Sequence, residues 1–447
     1  MQIRARLFVL GLIAALATTP IAAFALDPTL YVLQGLAPFS QLLSTPQGRA
    51  ALAANHRVTY EVSSGTSGQP LLLPFAQQQA RALSDAFITS DNASGLADGL
   101  GSGLEAAYRT LLNYKSGDGG LTWKPTGSLP SVQVLFSAAS GESGADSNAA
   151  KYFFANGGVA MPGTNCQAVA IDGADAILQR PGAQTDIFGK AYGLPGGKHA
   201  SPGADPCGDP RPFQTDYRIA MYQADDFWGV PSGNALYLDG PVQDLRTSPS
   251  FPSGHTTYGY TESVLLGILV PQRYPQMVTR AAEYGNDRII VGAHYAMDVL
   301  AGRTLALYVL AHLLAHDGDF RATKAARAEL RSALDGACGQ SGAICSTDTG
   351  RFADSTKNAA FYESTQTYGL PVVHAAFKGK TEDVFAHARE AGYLLMAAFP
   401  KITSLVQADR ILTATEGPGG GFLDDGSGFG VYSRIDLYKA VVAAAAM

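Results

Sequence analysis

Residues 250–298 read SFPSGHTTYGYTESVLLGILVPQRYPQMVTRAAEYGNDRIIVGAHYAMD. Pro252-Ser253-Gly254-His255 leads into an apolar run that stops at Pro271, so it marks a helix start with Ser253 able to cap it. Unpaired N–H groups and the positive end of the macrodipole face outward there, which suits an oxyanion. Gly254 lets a ligand oxygen reach the backbone. Further on stand Asp287-Arg288, then His294, and Asp298 four residues beyond it. One helical turn puts carboxylate and imidazole on a shared face. A carboxylate on one ring nitrogen fixes the tautomer and presents the other nitrogen as a nucleophile. An anion gripped by Arg288 could thus be attacked by one histidine and protonated by the other. A capped core helix or a buried His–Asp pair would explain any single piece, but not the whole set at these intervals.

Around this stretch the apolar spacing is mostly helical. Expected helices cover Gln77–Thr89, Leu104–Tyr114, Thr256–Leu269, Tyr274–Ile290, Tyr295–Ala315, Arg321–Leu334, Asp383–Ala397, Ile402–Thr413 and Arg434–Ala445, with a glycine-broken stretch at Ala93–Gly103 and Gly292 at a turn. Only Arg57–Val62 and Val132–Phe136 alternate enough to be short strands. The 50 glycines cluster at Ser116–Gly120, Ser140–Gly144, Gly193–Gly203 and Gly417–Gly430, which reads as long loops over a helical bundle. The expected class is all-α.

Residues 1–25 read as a cleaved signal peptide: Arg4 and Arg6, an apolar stretch, then Ala23-Phe24-Ala25 as a small-x-small site. A periplasmic or secreted location follows as an expectation, with residues 26–447 as one helical domain and a helical extension over about 320–447. Cleavage would take the formal charge from −6 to −8, since the leader holds two arginines and no acid. An acidic chain without a basic tract is a poor nucleic-acid binder. Cys166, Cys207, Cys338 and Cys345 suit two disulfides in an oxidising compartment, with Cys338–Cys345 and Cys166–Cys207 the favoured pairing. The best later apolar run, Val264–Val270, ends at Pro271, and Val299–Leu314 is interrupted by Arg303 and His312, so no stable membrane insertion is expected. His312 and His316 lack a third ligand at zinc spacing, so no metal site is expected. Ser433 reads as the N-cap of the last helix.

With Arg211-Pro212-Phe213 upstream, these motifs resemble the signature of the phosphatidic acid phosphatase type 2 (PAP2) superfamily, which includes class A bacterial acid phosphatases and vanadium haloperoxidases. Its pattern is Lys, six residues, Arg-Pro; then Pro-Ser-Gly-His; then Ser-Arg, five residues, His, three residues, Asp. The second and third blocks match, except that Asp287 replaces the serine. The first matches only in Arg211-Pro212, because Ala204 stands where the lysine belongs. Lys198, in a Gly/Pro-rich insertion, is the choice for that cation, with Lys190 its competitor.

The resemblance covers about residues 190–303. It implies a helical-bundle core and metal-independent hydrolysis of a small-molecule phosphate ester through a phosphohistidine on His294. His255 would be the acid and base, oriented chemistry would come from Asp298, and Lys198, Arg211, Ser253, Gly254 and Arg288 would hold the phosphate. No cofactor is implied; vanadate would inhibit. The alternatives are a vanadium haloperoxidase, in which vanadate is the cofactor, and a lipid-phosphate phosphatase at the membrane surface.

Overall fold

In the computed structural model of the chain, the described residues are 45–86, 93–112, 129–153, 250–339 and 350–447, with Leu42, Ile88, 159–160, 207–208, Arg211, Pro212, Asp216, Arg218, Ile219 and Cys345. The expectations for residues 1–25, Lys190, Lys198 and Cys166, and for the loops at 116–120 and 193–203, lie outside them.

Helices dominate, as the all-α expectation required. In chain order they are α1 (Pro46–Ser64), α2 (Phe75–Asp85), a 3₁₀ segment (Ala93–Leu100), α3 (Ser102–Leu111), α4 (Pro130–Phe153), α5 (Gly254–Leu269), α6 (Tyr274–Ile290), α7 (Ala296–Ala315) and α8 (Asp317–Ala337). The C-terminal set is α9 (Ser355–Thr365), α10 (Val384–His387), α11 (Tyr393–Met396), α12 (Leu405–Ala414), α13 (Gly428–Arg434) and α14 (Leu437–Ala445). A two-residue antiparallel pairing of Val159–Ala160 with Cys207–Gly208 is the sheet found among the described residues.

The centre is α5, α6 and α7, buried along almost their whole length. Helix α7 is long and apolar enough to cross a bilayer by length and composition, yet here it is wrapped by α4, α5, α8 and α13. A core helix carries the same signature. Close approach of α7 to α5 depends on Gly302, where a Cβ would sit 2.5 Å from the Ser253 carbonyl oxygen. One turn before Gly302, the Asp298 carbonyl accepts the Ser253 N–H at 3.0 Å. That crossing stacks the start of α5 on the start of α7, and it sets the site. The apolar core continues without a break into the C-terminal helices, through Phe361, Leu394, Leu412, Phe429 and Val441.

Several local expectations are corrected. Arg57–Val62 lies in α1 and Val132–Phe136 in α4; neither is a strand. In α1 the end signals outvote the β-branched residues: the Thr45 hydroxyl accepts the Gly48 N–H at 3.0 Å, Pro46 sits in the first turn, and Gly65 closes the helix at φ 72°. Ser140–Gly144 is not a loop but part of α4, where added Cβ atoms at Gly141 and Gly144 would meet nothing within 4 Å. Asp383–Ala397 breaks into α10, a 3₁₀ turn and α11, because Ala388 turns out of the helix at φ −146°. The last helix is capped by Asp436, whose carboxylate accepts the Lys439 N–H at 2.9 Å, while Ser433 belongs to α13. Of the cysteine pairs, Cys338–Cys345 is formed. It ties the end of α8 to α3, since the Cys345 carbonyl lies against Gly103.

Candidate active site

Helix α5 begins as its sequence implies. The Ser253 hydroxyl accepts the Thr256 N–H at 3.1 Å, so this side chain is spent on the cap. His255 follows in the first turn and is 7 % exposed. After α6, Gly292 takes the left-handed conformation at φ 72°, and the Ala293 and His294 N–H groups fold back on the Arg288 carbonyl. That turn delivers His294, fully buried, to His255: His255 Nδ1 and His294 Nε2 lie 3.1 Å apart. Arg211, 1 % exposed, donates from Nη1 to the Ala293 carbonyl at 2.9 Å and reaches His294 Nε2 at 3.2 Å.

His294 and Asp298 do not share a helical face. His294 precedes α7, Tyr295 is the N-cap, and Asp298 sits in the first turn, where its Oδ2 accepts the Tyr295 N–H at 2.8 Å. The imidazole Nδ1 stands 3.5 Å from that oxygen. Ser250 lies between them, its hydroxyl donating to Asp298 Oδ2 at 2.5 Å and standing 3.3 Å from His294 Nδ1. Burial pushes Asp298 up to about 7, against the pull of Ser250, the Tyr295 N–H and Arg211.

Arg288 is held differently. Its guanidinium lies 4.7 Å over the Tyr284 ring and donates to the Ala82 carbonyl at 3.1 Å, while Nε is buried with no hydrogen-bond partner among the described residues. Tyr284 faces Tyr258, and Tyr258 faces His255 at a centroid distance of 5.6 Å, so a row of rings joins Arg288 to the histidines. Gly254 and Tyr258 are half-buried.

Asp287, which replaces the motif serine, belongs to another cluster. Gln78 donates to it at 2.8 Å, and burial together with Asp85 and Glu283 keeps it protonated well above the carboxylate range. Behind it, Arg280 makes a two-pronged pair with Asp85 (2.6 and 2.8 Å) and bonds Asp98 at 2.7 Å. Arg351 grips Glu283 through two bonds of 2.7 Å and reaches Asp98 at 2.6 Å. Arg81 closes the set on Asp98 and Asp85. Burial alone would raise Asp85, but Arg280 and Arg81 outweigh it and hold it low.

Of the residues expected at the site, His255, His294, Asp298 and Arg211 come together, with Ser253 and Gly254 at the adjoining helix start. Arg288 borders them through the aromatic row, and Lys198 lies outside the described residues. Ser250 went unrecognised: it precedes the motif by two positions, and no spacing rule singles out a serine there. The arrangement suits a tetrahedral oxyanion. Among the described residues no three His, Cys, Asp or Glu side chains converge as metal ligands would.

Residues 204–320 match the PAP2 superfamily. The segment belongs to that superfamily. The match begins after Lys198 and takes in Arg211, both helix starts and Asp298. Over 105 residues the chain is 36 % identical to an acid phosphatase of Zymomonas mobilis, covering 23 % of this chain and 39 % of that protein. Non-specific acid phosphatases of Salmonella typhimurium (41 % over 69 residues; 15 % and 28 %) and Providencia stuartii (33 % over 87 residues; 20 % and 34 %) are also similar. The chain therefore spans well under half the length of each of these curated relatives.

Proposed function

We propose that this PAP2 domain is a phosphatase that hydrolyses small phosphate monoesters through a phosphohistidine on His294. One observation carries the reading: two buried imidazoles meet nitrogen to nitrogen at 3.1 Å with the Arg211 guanidinium on the same nitrogen of His294. The similarity to acid phosphatases supports the same chemistry.

The steps balance as follows. His294 Nε2 attacks phosphorus, the bond from phosphorus to the leaving oxygen breaks, and that oxygen takes a proton from His255. His255 then removes a proton from water, whose oxygen attacks phosphorus; the P–N bond breaks and inorganic phosphate leaves. A phosphoryl group on Nε2 takes the place of the His255 contact, which then falls on an oxygen of the substrate. Arg211, Arg288 and the N–H groups at the start of α5 bind the equatorial oxygens. Charge-assisted bonds of this kind contribute roughly 1.5–3 kcal/mol each, which offsets removal of a dianion from water. Proton transfer by a placed histidine adds about 10²–10⁴-fold. Under this reading residues 1–25 serve as a cleaved export signal, the enzyme works in the periplasm or outside the cell, and vanadate inhibits it.

The test is hydrolysis of para-nitrophenyl phosphate, a nucleotide, a sugar phosphate and a lipid phosphate by purified protein, with and without chelator. Turnover of the soluble esters unaffected by chelator, with a pH optimum at or below neutrality, is the expected result. No hydrolysis, together with peroxide-dependent halide oxidation after vanadate loading, would assign the site to the haloperoxidase branch instead.

A further inference from the structure

We infer that Ser250 is a positioning residue for His294, standing between the imidazole and Asp298 and fixing which ring nitrogen carries the proton. The inference deepens the reading of His294 as nucleophile and rests on it.

The separation of His294 Nδ1 from Asp298 Oδ2, 3.5 Å, exceeds the usual N–H···O range of about 2.7–3.2 Å. Ser250 Oγ is nearer the ring, at 3.3 Å, and much nearer the carboxylate, at 2.5 Å. A hydroxyl has one proton and two lone pairs. Since Ser250 gives its proton to Asp298, it turns lone pairs toward the imidazole, and only an Nδ1–H can meet them. The far side of the ring gives the same answer independently. Arg211 has donors and no acceptor, so the Nε2 it approaches at 3.2 Å must offer a lone pair. Both ends of the ring therefore demand the tautomer with the proton on Nδ1 and a free pair on Nε2, the form a nucleophile needs.

The fold holds this bridge rigidly. Ser250 is fully buried, three residues before the Ser253 N–H that bonds the Asp298 carbonyl. The Asp298 carboxylate is fixed in turn by the Tyr295 N–H. Removing the hydroxyl leaves Nδ1 facing a gap and takes one donor from a buried carboxylate.

The experiment uses the full chain labelled with ¹⁵N-histidine. His294 is assigned by the signal lost in His294→Gln. In wild type, a pyrrole-like Nδ1 and a pyridine-like Nε2 are expected. Ser250→Ala should shift His294 toward a mixture of tautomers. It should also lower kcat on para-nitrophenyl phosphate by on the order of 10–100-fold, as losing an orienting partner commonly does, with KM little changed. Ser250→Thr, which keeps the hydroxyl, should recover most of both signals and serves if the alanine variant does not fold. A wild-type His294 protonated on Nε2, or a folded Ser250→Ala with wild-type tautomer and kcat, would overturn the assignment. If wild type hydrolyses no phosphate ester, the phosphatase reading fails alone, and the ¹⁵N signature still decides the role of Ser250.

Discussion

Helix α6 and the turn after it carry two buried polar clusters, and they are built to opposite rules. In the first, Arg81, Arg280 and Arg351 face Asp85, Asp98 and Glu283, while the fourth carboxyl, Asp287, keeps its proton. The three guanidinium groups are committed to carboxylates on α2, the 3₁₀ segment and α6 itself, with Arg351 reaching in from the C-terminal region. In the second, two imidazoles contact each other, the Nε of Arg288 has no partner among the described residues, and the carboxyl of Asp298 is pushed up by burial. A closed network holds elements together; an open one keeps donors for a guest. The Asp287-Arg288 dipeptide is divided between them, its acid in the closed cluster and its arginine at the edge of the open one.

Replacing members of each cluster should separate turnover from stability. His294→Ala should abolish turnover, by on the order of 10⁴-fold or more as for other covalent catalysts, while the melting temperature changes little. A folded variant with substantial activity would remove His294 from the chemistry. Arg211→Lys and Arg288→Lys should each lose about 10²–10³-fold in kcat, the usual cost of one transition-state donor, because lysine cannot supply the planar fork. Circular dichroism should show both variants folded. Arg280→Ala should do the reverse, losing about 3–5 kcal/mol of stability in denaturant unfolding because it strands buried carboxylates. Its surviving folded fraction should turn over near the wild-type rate.

The smallest effect concerns pH. Asp298 sits at about 7 in the native state, above the roughly 4 of an unfolded aspartate. The native state thus binds this proton more tightly, so its contribution is full below about pH 4 and fades as pH rises toward 7. The melting-temperature advantage of wild type over Asp298→Asn should shrink across that interval. An advantage that widens with pH would mean that the carboxylate is stabilised in its charged form.

The site was more legible than much of the scaffold. Its motif spacing is local and chemically specific, and Ser253, Gly254 and Gly292 carry their backbone roles in their identity. Helices α6 and α7 were equally plain, α7 from its nearly continuous apolar run and α6 from apolar residues recurring at helical spacing between its polar ones. Strands were expected within α1 and α4 because Val58, Thr59, Val62, Val132 and Val134 give a strand-like local pattern, which in α1 the end signals outvote. Thr45-Pro46 and Gly65 were available as end signals for α1 and went unused. The Arg280 network could not be read at all, since its members are scattered from Gln78 to Arg351 and meet only through packing. Ser250 was hidden for the same reason: its partners lie 44 and 48 residues away.

The most direct measurement is a rapid-quench experiment with ³²P-labelled para-nitrophenyl phosphate, followed by peptide mapping of the labelled protein. The account requires an acid-labile, base-stable phosphate on His294, absent from His294→Ala and accumulating in His255→Ala, where the water-activating base is gone. Turnover with no label on His294 under these conditions, or label on another residue, would contradict it.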